Sequence, residues 1–90
     1  MIKTWTDDAW ADYLYWQSTD KKMVSKINDL LKSIEREGLS KGLGKPEPLK
    51  HGRNAWSRRI NQEHRLVYNI VTINDSEFLW VISCKGHYEE

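Results

Sequence analysis

The chain has 90 residues and a formal net charge of +1; 39% of its residues are hydrophobic and 30% are charged. These values predict one small folded domain over residues 1–90 and argue against a disordered chain. Because no apolar run approaches the ~20 residues of a membrane span and no signal-peptide pattern opens the chain, the sequence predicts a cytoplasmic protein with no membrane contact.

The charge is distributed unevenly along the chain. Residues 21–65 hold twelve cations and five acids, whereas the segments on either side are net acidic. Such a basic middle segment favours an anionic partner. A basic helix face that only aids solubility would give part of the same count.

The N-terminal half has the pattern of a short strand followed by two helices. Residues 2–5 alternate between apolar and polar, and Thr6 and Asp20 are the residue types that cap helix N-termini. Gly38 is a suitable residue to end the second helix. The spacing within the helices predicts one buried face on each. The predicted buried residues are Trp10, Tyr13, Leu14 and Gln17 on the first helix, and Met23, Val24, Ile27, Leu30, Leu31 and Ile34 on the second.

The C-terminal half has the pattern of a loop followed by three strands. Residues 38–48 contain three glycines and two prolines, which predicts a loop. The segments 56–60, 65–72 and 78–84 are strand-like and are separated by turn residues, which favours an antiparallel meander. By alternation, Ser57 and Arg59 share one face of the sheet. We expect the helices to leave that face free for a ligand.

Several kinds of site are excluded by spacing. His51, His64 and His87 lie apart with no metal-binding motif, and no phosphate-binding glycine loop or GxSxG nucleophile is present. Cys84 is the only cysteine, and we predict that it is buried and structural. The sequence therefore predicts neither a metal site nor a cofactor.

The remaining polar groups suit RNA chemistry. Glu47, between two prolines, is a candidate base for a ribose 2′-OH, and Arg59 and Arg65 are candidates to bind the phosphate. His87 is the candidate acid, because histidine has an unperturbed pKa near 6.5. A basic sheet face with exposed aromatic residues fits an RNA-binding module equally well, so the residues alone leave both functions open.

Six motifs in the chain resemble those of the YoeB toxins of the RelE superfamily, also called the Txe/YoeB type. They are WADYLYWQ (10–17), KINDLLK (26–32), KPEPLKH (45–51), WSRRI (56–60), EHRLVY (63–68) and HY (87–88). The resemblance covers essentially the whole chain. It implies an α+β fold of the RelE type, with a twisted antiparallel sheet and two N-terminal helices packed on one face.

The resemblance also implies a function. Family members are toxins of bacterial type II toxin–antitoxin systems that cut mRNA in the ribosomal A site, without a metal ion, and so inhibit translation. Glu47 matches the general base, Arg65 the group that stabilises the transition state, and His87 the general acid. Lys50 and Arg59 match supporting cations that bind RNA, and Tyr88 matches a tyrosine that positions the codon.

The implied partners are the 70S ribosome, with its rRNA and A-site mRNA, and a cognate antitoxin of the YefM/Phd type. The aromatic-rich helices also favour a homodimer. Arg58 alternates away from Arg59, which predicts a surface position or a contact with the antitoxin. The rival interpretation is a binding-only relative that acts with its antitoxin in transcriptional autoregulation.

Overall fold

The computed structural model describes residues 1–50 and 54–87. In these ranges, two helices and five strands form an α+β fold, and the strands make one sheet in the order β1-β5-β4-β3-β2. The elements are β1 (Ile2–Trp5), α1 (Asp7–Thr19), α2 (Lys21–Glu37), β2 (Glu47–Pro48), β3 (Trp56–Arg59), β4 (Arg65–Ile73) and β5 (Ser76–Ser83). The α+β class predicted from the sequence is therefore confirmed.

The helix ends lie where their capping residues predict. The Ala9 N–H donates to Thr6 Oγ1 at 3.0 Å, and the Lys22 N–H donates to Asp20 Oδ1 at 3.0 Å. Each cap supplies an acceptor for an N–H that has no partner within its own helix. At the end of α2, Gly38 adopts φ +95°, a conformation that favours glycine.

The buried face of α1 differs from the prediction. Ala9 and Trp16 are buried, whereas Trp10 and Leu14 are 48% and 44% exposed, and Gln17 is also exposed. Aromatic side chains occur all round this helix, so spacing alone does not select one face. The small side chain of Ala9 is fully buried, and Trp10 and Leu14 lie on the outward side of the helix. The predicted stripe of α2 is confirmed, with Val24 half-buried.

The sheet is mixed rather than wholly antiparallel. The predicted meander of β3, β4 and β5 is confirmed, and β2 adds to it antiparallel to β3. The N-terminal strand β1 instead pairs in parallel with β5, placing Ile2 opposite Phe78 and Trp5 opposite Val81. The connection between β1 and β5 contains both helices and the other three strands, which is long enough for a parallel crossover.

One face of the sheet packs against both helices and contains most of the core. The buried side chains include Ile27, Leu30 and Ile34 from α2 and Leu66, Tyr68, Leu79 and Val81 from the sheet. The opposite face is only partly free, because Leu49 and Ala55 cover Val67 there. Within the described ranges, no helix is long and apolar enough to cross a membrane.

Cys84 is buried, as predicted, and it fastens the chain after β5 to α1. Its N–H donates to Asp12 Oδ2 at 3.0 Å, and its carbonyl accepts from Trp16 Nε1 at 2.9 Å. Burial, with a smaller contribution from the Asp12 carboxylate, raises the pKa of the Cys84 thiol to about 12. The thiol is therefore neutral near pH 7, and the contacts of Cys84 are structural.

Candidate functional site

The strand register places the candidate site residues on one face of the sheet. Arg59 at the end of β3 lies opposite Arg65 at the start of β4, and Glu47 on β2 lies opposite Ser57. Directly opposed residues of antiparallel strands point to the same side, as do residues two apart on one strand. Glu47 is therefore a diagonal neighbour of Arg59 on this face, at a Cα separation of roughly 7–8 Å.

Three of the predicted residues line one cavity. Arg59, Arg65 and His87 border a concave space of about 610 Å³ at this end of the β3–β4 hairpin. Lys26 of α2 and Lys45 of the loop before β2 add two further cations. No aspartate or glutamate is among the described residues that line the cavity. A cavity with this lining attracts an anion such as a phosphate.

The backbone of Arg65 is fixed by a hydrogen bond, while its side chain has an N–H group that is not used within the described residues. Its backbone N–H donates to the carbonyl of Gly86 at 2.9 Å, which brings the segment before His87 alongside β4. Its side-chain Nε is buried and has no hydrogen-bond partner among residues 1–50 and 54–87. A buried donor of this kind is stabilised by an incoming acceptor, and a phosphate oxygen is one.

The other predicted site residues lie around the cavity or outside the described residues. Glu47 is half-buried on the edge strand β2, between two prolines whose missing N–H groups are tolerated at a sheet edge. Lys50 is exposed and does not line the cavity. Tyr88 lies outside the residues that the structure describes. The structure thus groups Arg59, Arg65 and His87 directly, with Glu47 as their neighbour.

Arg58 is wholly buried, so its predicted surface position is wrong. It lies on the helix side of β3, and each of its five N–H groups donates to an uncharged oxygen. The acceptors are the hydroxyls of Tyr68 and Ser33 and the carbonyls of Gly38, Lys41 and Leu43, at 2.7–3.1 Å. Because strand parity assigns a residue to a face but does not say what covers it, the sequence did not reveal this contact.

The acceptors of Arg58 belong mainly to the loop of residues 38–44, which leads to Glu47. Tyr68 Oη donates to the Leu39 carbonyl at 2.6 Å, so β4 holds the same loop. Burial raises the pKa of the Tyr68 hydroxyl, and its bond with Arg58 partly opposes that rise. A Cβ at Gly42 would collide with Ser33 Oγ. Arg58 and Tyr68 therefore fix the loop that enters the candidate site.

The loop is joined to the site itself at Gly44. The Arg59 N–H donates to the Gly44 carbonyl at 2.7 Å. Gly44 has φ +85°, and a Cβ there would lie 2.8 Å from Leu30 Cδ2, so glycine is required by both conformation and space. This close approach places Lys45, the next residue, at the cavity.

Four polar lining residues were not predicted as site residues. Lys26 and Lys45 are two of the twelve cations of residues 21–65, and Asn61 and Gln62 lie in the turn between the strand-like segments 56–60 and 65–72. The density of cations from residue 45 onward was the available signal for Lys45. The contribution of Lys26 depends on the packing of α2 against the sheet, which no local pattern contains. Within residues 1–50 and 54–87, no three His, Cys, Asp or Glu side chains are grouped as metal ligands.

Comparison with known proteins gives one consistent family. The family described as "YoeB-like toxin of bacterial type II toxin-antitoxin system" matches residues 5–88. Toxin YoeB of Escherichia coli strain K12 is 52% identical over 85 residues, which span 93% of this chain and 95% of that toxin. A solved YoeB/ParE toxin from Agrobacterium tumefaciens has a TM-score of 0.90 and 48% identity, covering 98% of this chain and 100% of that one.

Two solved structures from Staphylococcus aureus are also similar. A YoeB dimer has a TM-score of 0.87 and 50% identity, with 98% of each chain covered. A YoeB–YefM complex has a TM-score of 0.84 and 48% identity, again with 98% of each chain covered.

Proposed function

Because the chain belongs to the YoeB-like toxins of bacterial type II toxin–antitoxin systems, we propose that it is an endoribonuclease that cuts mRNA in the A site of the translating ribosome. The observation that carries this proposal is the meeting of Arg59, Arg65 and His87 at one cationic cavity, with Glu47 on the same sheet face. Residues 1–90 would form one toxin domain that acts in the cytoplasm, where translation takes place.

The proposed reaction transfers the phosphoryl group within the RNA strand. Glu47 takes the proton of a ribose 2′-OH, and the oxygen attacks the adjacent phosphorus in line with the departing 5′ oxygen. The bond from phosphorus to that oxygen breaks as His87 donates a proton to it. The products are a 2′,3′-cyclic phosphate and a 5′-hydroxyl. DNA is not a substrate because it has no 2′-OH.

The cations stabilise the negative charge that the phosphorus gains during attack. Arg59 and Arg65 are opposed across two strands and act on the phosphate, and the Nε of Arg65, which has no partner among the described residues, supplies one preorganised donor. Such a donor contributes roughly 10²–10³-fold to the rate. Lys26 and Lys45 extend the positive potential towards neighbouring phosphates.

The ribosome supplies the ordering of the RNA strand, which a small cavity on a 90-residue chain does not provide by itself. A free RNA strand is flexible and rarely has its 2′-oxygen in line, whereas a codon held in the A site is already ordered. The exposed lysines of α2 and Lys50 would bind rRNA phosphates, and Tyr88 would position the codon. We therefore expect poor cleavage of free RNA.

Primer extension on one mRNA, with and without translation, tests this proposal. We expect cuts at A-site codons when purified 70S ribosomes hold the message, and few cuts on the same message alone. Adding the cognate antitoxin should suppress the cuts. If the translated message stays intact while the chain still binds its antitoxin, the protein acts by binding only, as an autoregulatory partner.

The partner that inhibits the toxin is proposed to be an antitoxin of the YefM/Phd type with an acidic segment. YefM is the partner named for the similar Staphylococcus aureus toxin. An acidic segment that is disordered alone and folds on binding would match the four lysine and arginine side chains at the cavity. Occupation of the cavity would exclude RNA at the same time.

The chain is also proposed to form a homodimer through the exposed aromatic face of α1. Trp10 is 48% exposed and stacks on Tyr13, with ring centroids 5.9 Å apart, while Trp5 contacts both rings. Leu14 continues this apolar face. An exposed patch of this kind marks an interaction surface, and the similar Staphylococcus aureus YoeB is a dimer.

Replacing Trp10 by glutamate should dissociate the dimer. A central interface tryptophan contributes about 2 kcal/mol or more, so we expect the dissociation constant to rise at least roughly 30-fold in analytical ultracentrifugation. Thr19→Glu is the control, since it adds the same charge at an exposed position on the opposite side of α1. A dimer that persists unchanged in Trp10→Glu would place the interface elsewhere.

A further inference from the structure

His64 lies at the end of the turn between β3 and β4, and its backbone is fixed on both sides. Its N–H donates to Asn61 Oδ1 at 2.8 Å, and its carbonyl accepts from the Ile60 N–H at 2.9 Å. The half-buried ring lies edge-on to Trp16 of α1, with ring centroids 4.8 Å apart. The imidazole therefore has a defined place between α1 and the chain that follows β5.

The imidazole and the next residue hold Gly86 from two directions. The Gly86 N–H donates to His64 Nδ1 at 2.9 Å, while the Gly86 carbonyl accepts from the Arg65 N–H at 2.9 Å. Gly86 adopts φ +105°, so its conformation is one that only glycine reaches easily. These two bonds fix a residue whose backbone would otherwise have wide freedom.

The position of Gly86 governs that of His87. Consecutive Cα atoms are about 3.8 Å apart, so fixing both the N–H and the carbonyl of Gly86 fixes the start of His87. Trp16, whose ring contacts His64, also donates to the Cys84 carbonyl at 2.9 Å. The segment that leads to His87 is thus held at residues 84 and 86 before it reaches the cavity.

We propose that His64 is a positioning residue for the general acid, accepting the Gly86 N–H at Nδ1 so that His87 is correctly placed at the scissile phosphate. This inference rests on the proposed function, in which His87 protonates the departing oxygen. An Nδ1 that accepts a hydrogen bond carries a lone pair, so the geometry assigns to His64 the tautomer with its proton on Nε2.

Loss of this hydrogen bond affects the chemical step more than binding. Misplacing a catalytic group by about 1 Å costs roughly 10²-fold in rate. We expect ribosome binding to depend instead on the lysines of α2 and on Lys50, none of which contacts His64 in the part of the chain that the structure describes. The expected signature is a lower single-turnover rate at an unchanged half-saturating ribosome concentration.

Three variants distinguish the effect of losing the hydrogen-bond acceptor of His64 from the effect of losing its ring. His64→Asn keeps an acceptor oxygen near the place of Nδ1 but loses the ring. His64→Phe keeps a flat ring against Trp16 but has no acceptor. Glu63→Gln, at the exposed neighbouring position, is the control for changes in this turn.

The full-length variants are compared in single-turnover cleavage of A-site mRNA on 70S ribosomes and in amide hydrogen exchange at Gly86. We expect His64→Phe to cleave about 10²-fold more slowly than the wild type. The protection of the Gly86 amide against hydrogen exchange should fall roughly tenfold, while the protection of the core strand amides should not change. His64→Asn should recover most of the rate and of the protection. Nitrogen-15 NMR of the wild-type imidazole should show the proton on Nε2.

Every other outcome contradicts either the positioning role of His64 or the proposed function. Wild-type cleavage by His64→Phe, or His64→Asn as slow as His64→Phe, overturns the positioning role while the proposed function stands. Unchanged Gly86 protection in His64→Phe overturns it as well. If the wild-type chain cuts no ribosome-bound message, the proposed function fails, and the role of His64 in placing an acid fails with it.

Discussion

Glu47→Gln is expected to slow cleavage of A-site mRNA by 10²–10⁴-fold, the usual contribution of a general base. The amide has the size of the carboxylate and leaves the pairing of Glu47 with Ser57 intact, but it cannot take a proton from the 2′-OH. His87→Ala should lose a similar factor because it removes the acid. Single-turnover primer extension on 70S complexes measures both rates, and loss of growth arrest in a bacterial host should accompany them.

Two controls make this result specific to the chemistry. Thermal unfolding followed by circular dichroism should be almost unchanged, because His87 is exposed, Glu47 is half-buried at a sheet edge, and neither belongs to the core. Glu77→Gln, the same change at an exposed position of β5, should cleave at the wild-type rate. A Glu47→Gln toxin that is folded and fully active would remove Glu47 from the reaction.

The double variant tests whether Glu47 and His87 act in one concerted step. Residues that act as a unit have strongly non-additive effects, so the double variant should be little slower than the slower single variant. Additive losses would instead mean that the base and the acid stabilise the transition state independently of each other.

Features that depend on short stretches of chain could be predicted from the sequence. The caps at Thr6 and Asp20 each need only one side-chain oxygen and an N–H two or three residues later. The meander of β3, β4 and β5 follows from three β-rich runs separated by polar turns. The shared face of Arg59 and Arg65 follows from alternation once that pairing is known.

Features that depend on contacts between elements far apart in the sequence could not be predicted in this way. The parallel partner of β1 lies more than seventy positions along the chain, and no pattern within four strand residues identifies it. The spacing of the aromatic side chains along α1 does not show that Ala9 and Trp16, rather than Trp10 and Leu14, face the core. The contact of His64 with Gly86 joins two turns that are 22 positions apart.

Arg58→Met is expected to lower the free energy of unfolding by about 3 kcal/mol, because it removes the donor from several buried or half-buried acceptors and each buried group left unpaired costs about 1–3 kcal/mol. Methionine fills much of the same volume but removes the five hydrogen bonds that Arg58 donates to three backbone carbonyls and two hydroxyls. Total stabilities are about 5–15 kcal/mol, so this is a large part of the whole. Urea unfolding gives the difference directly.

Arg59→Met is the matched control for stability, since it makes the same change one residue later on the opposite, exposed side of β3. We expect it to alter the unfolding free energy by less than about 0.5 kcal/mol, although it should slow cleavage. Arg58→Lys should recover little, because one ammonium group cannot reach five acceptors spread around a planar guanidinium. If Arg58→Met and Arg59→Met unfold at the same urea concentration, the loop of residues 38–44 is held in place without Arg58. Arg58 would then have no part in presenting Lys45 and Glu47 to the RNA.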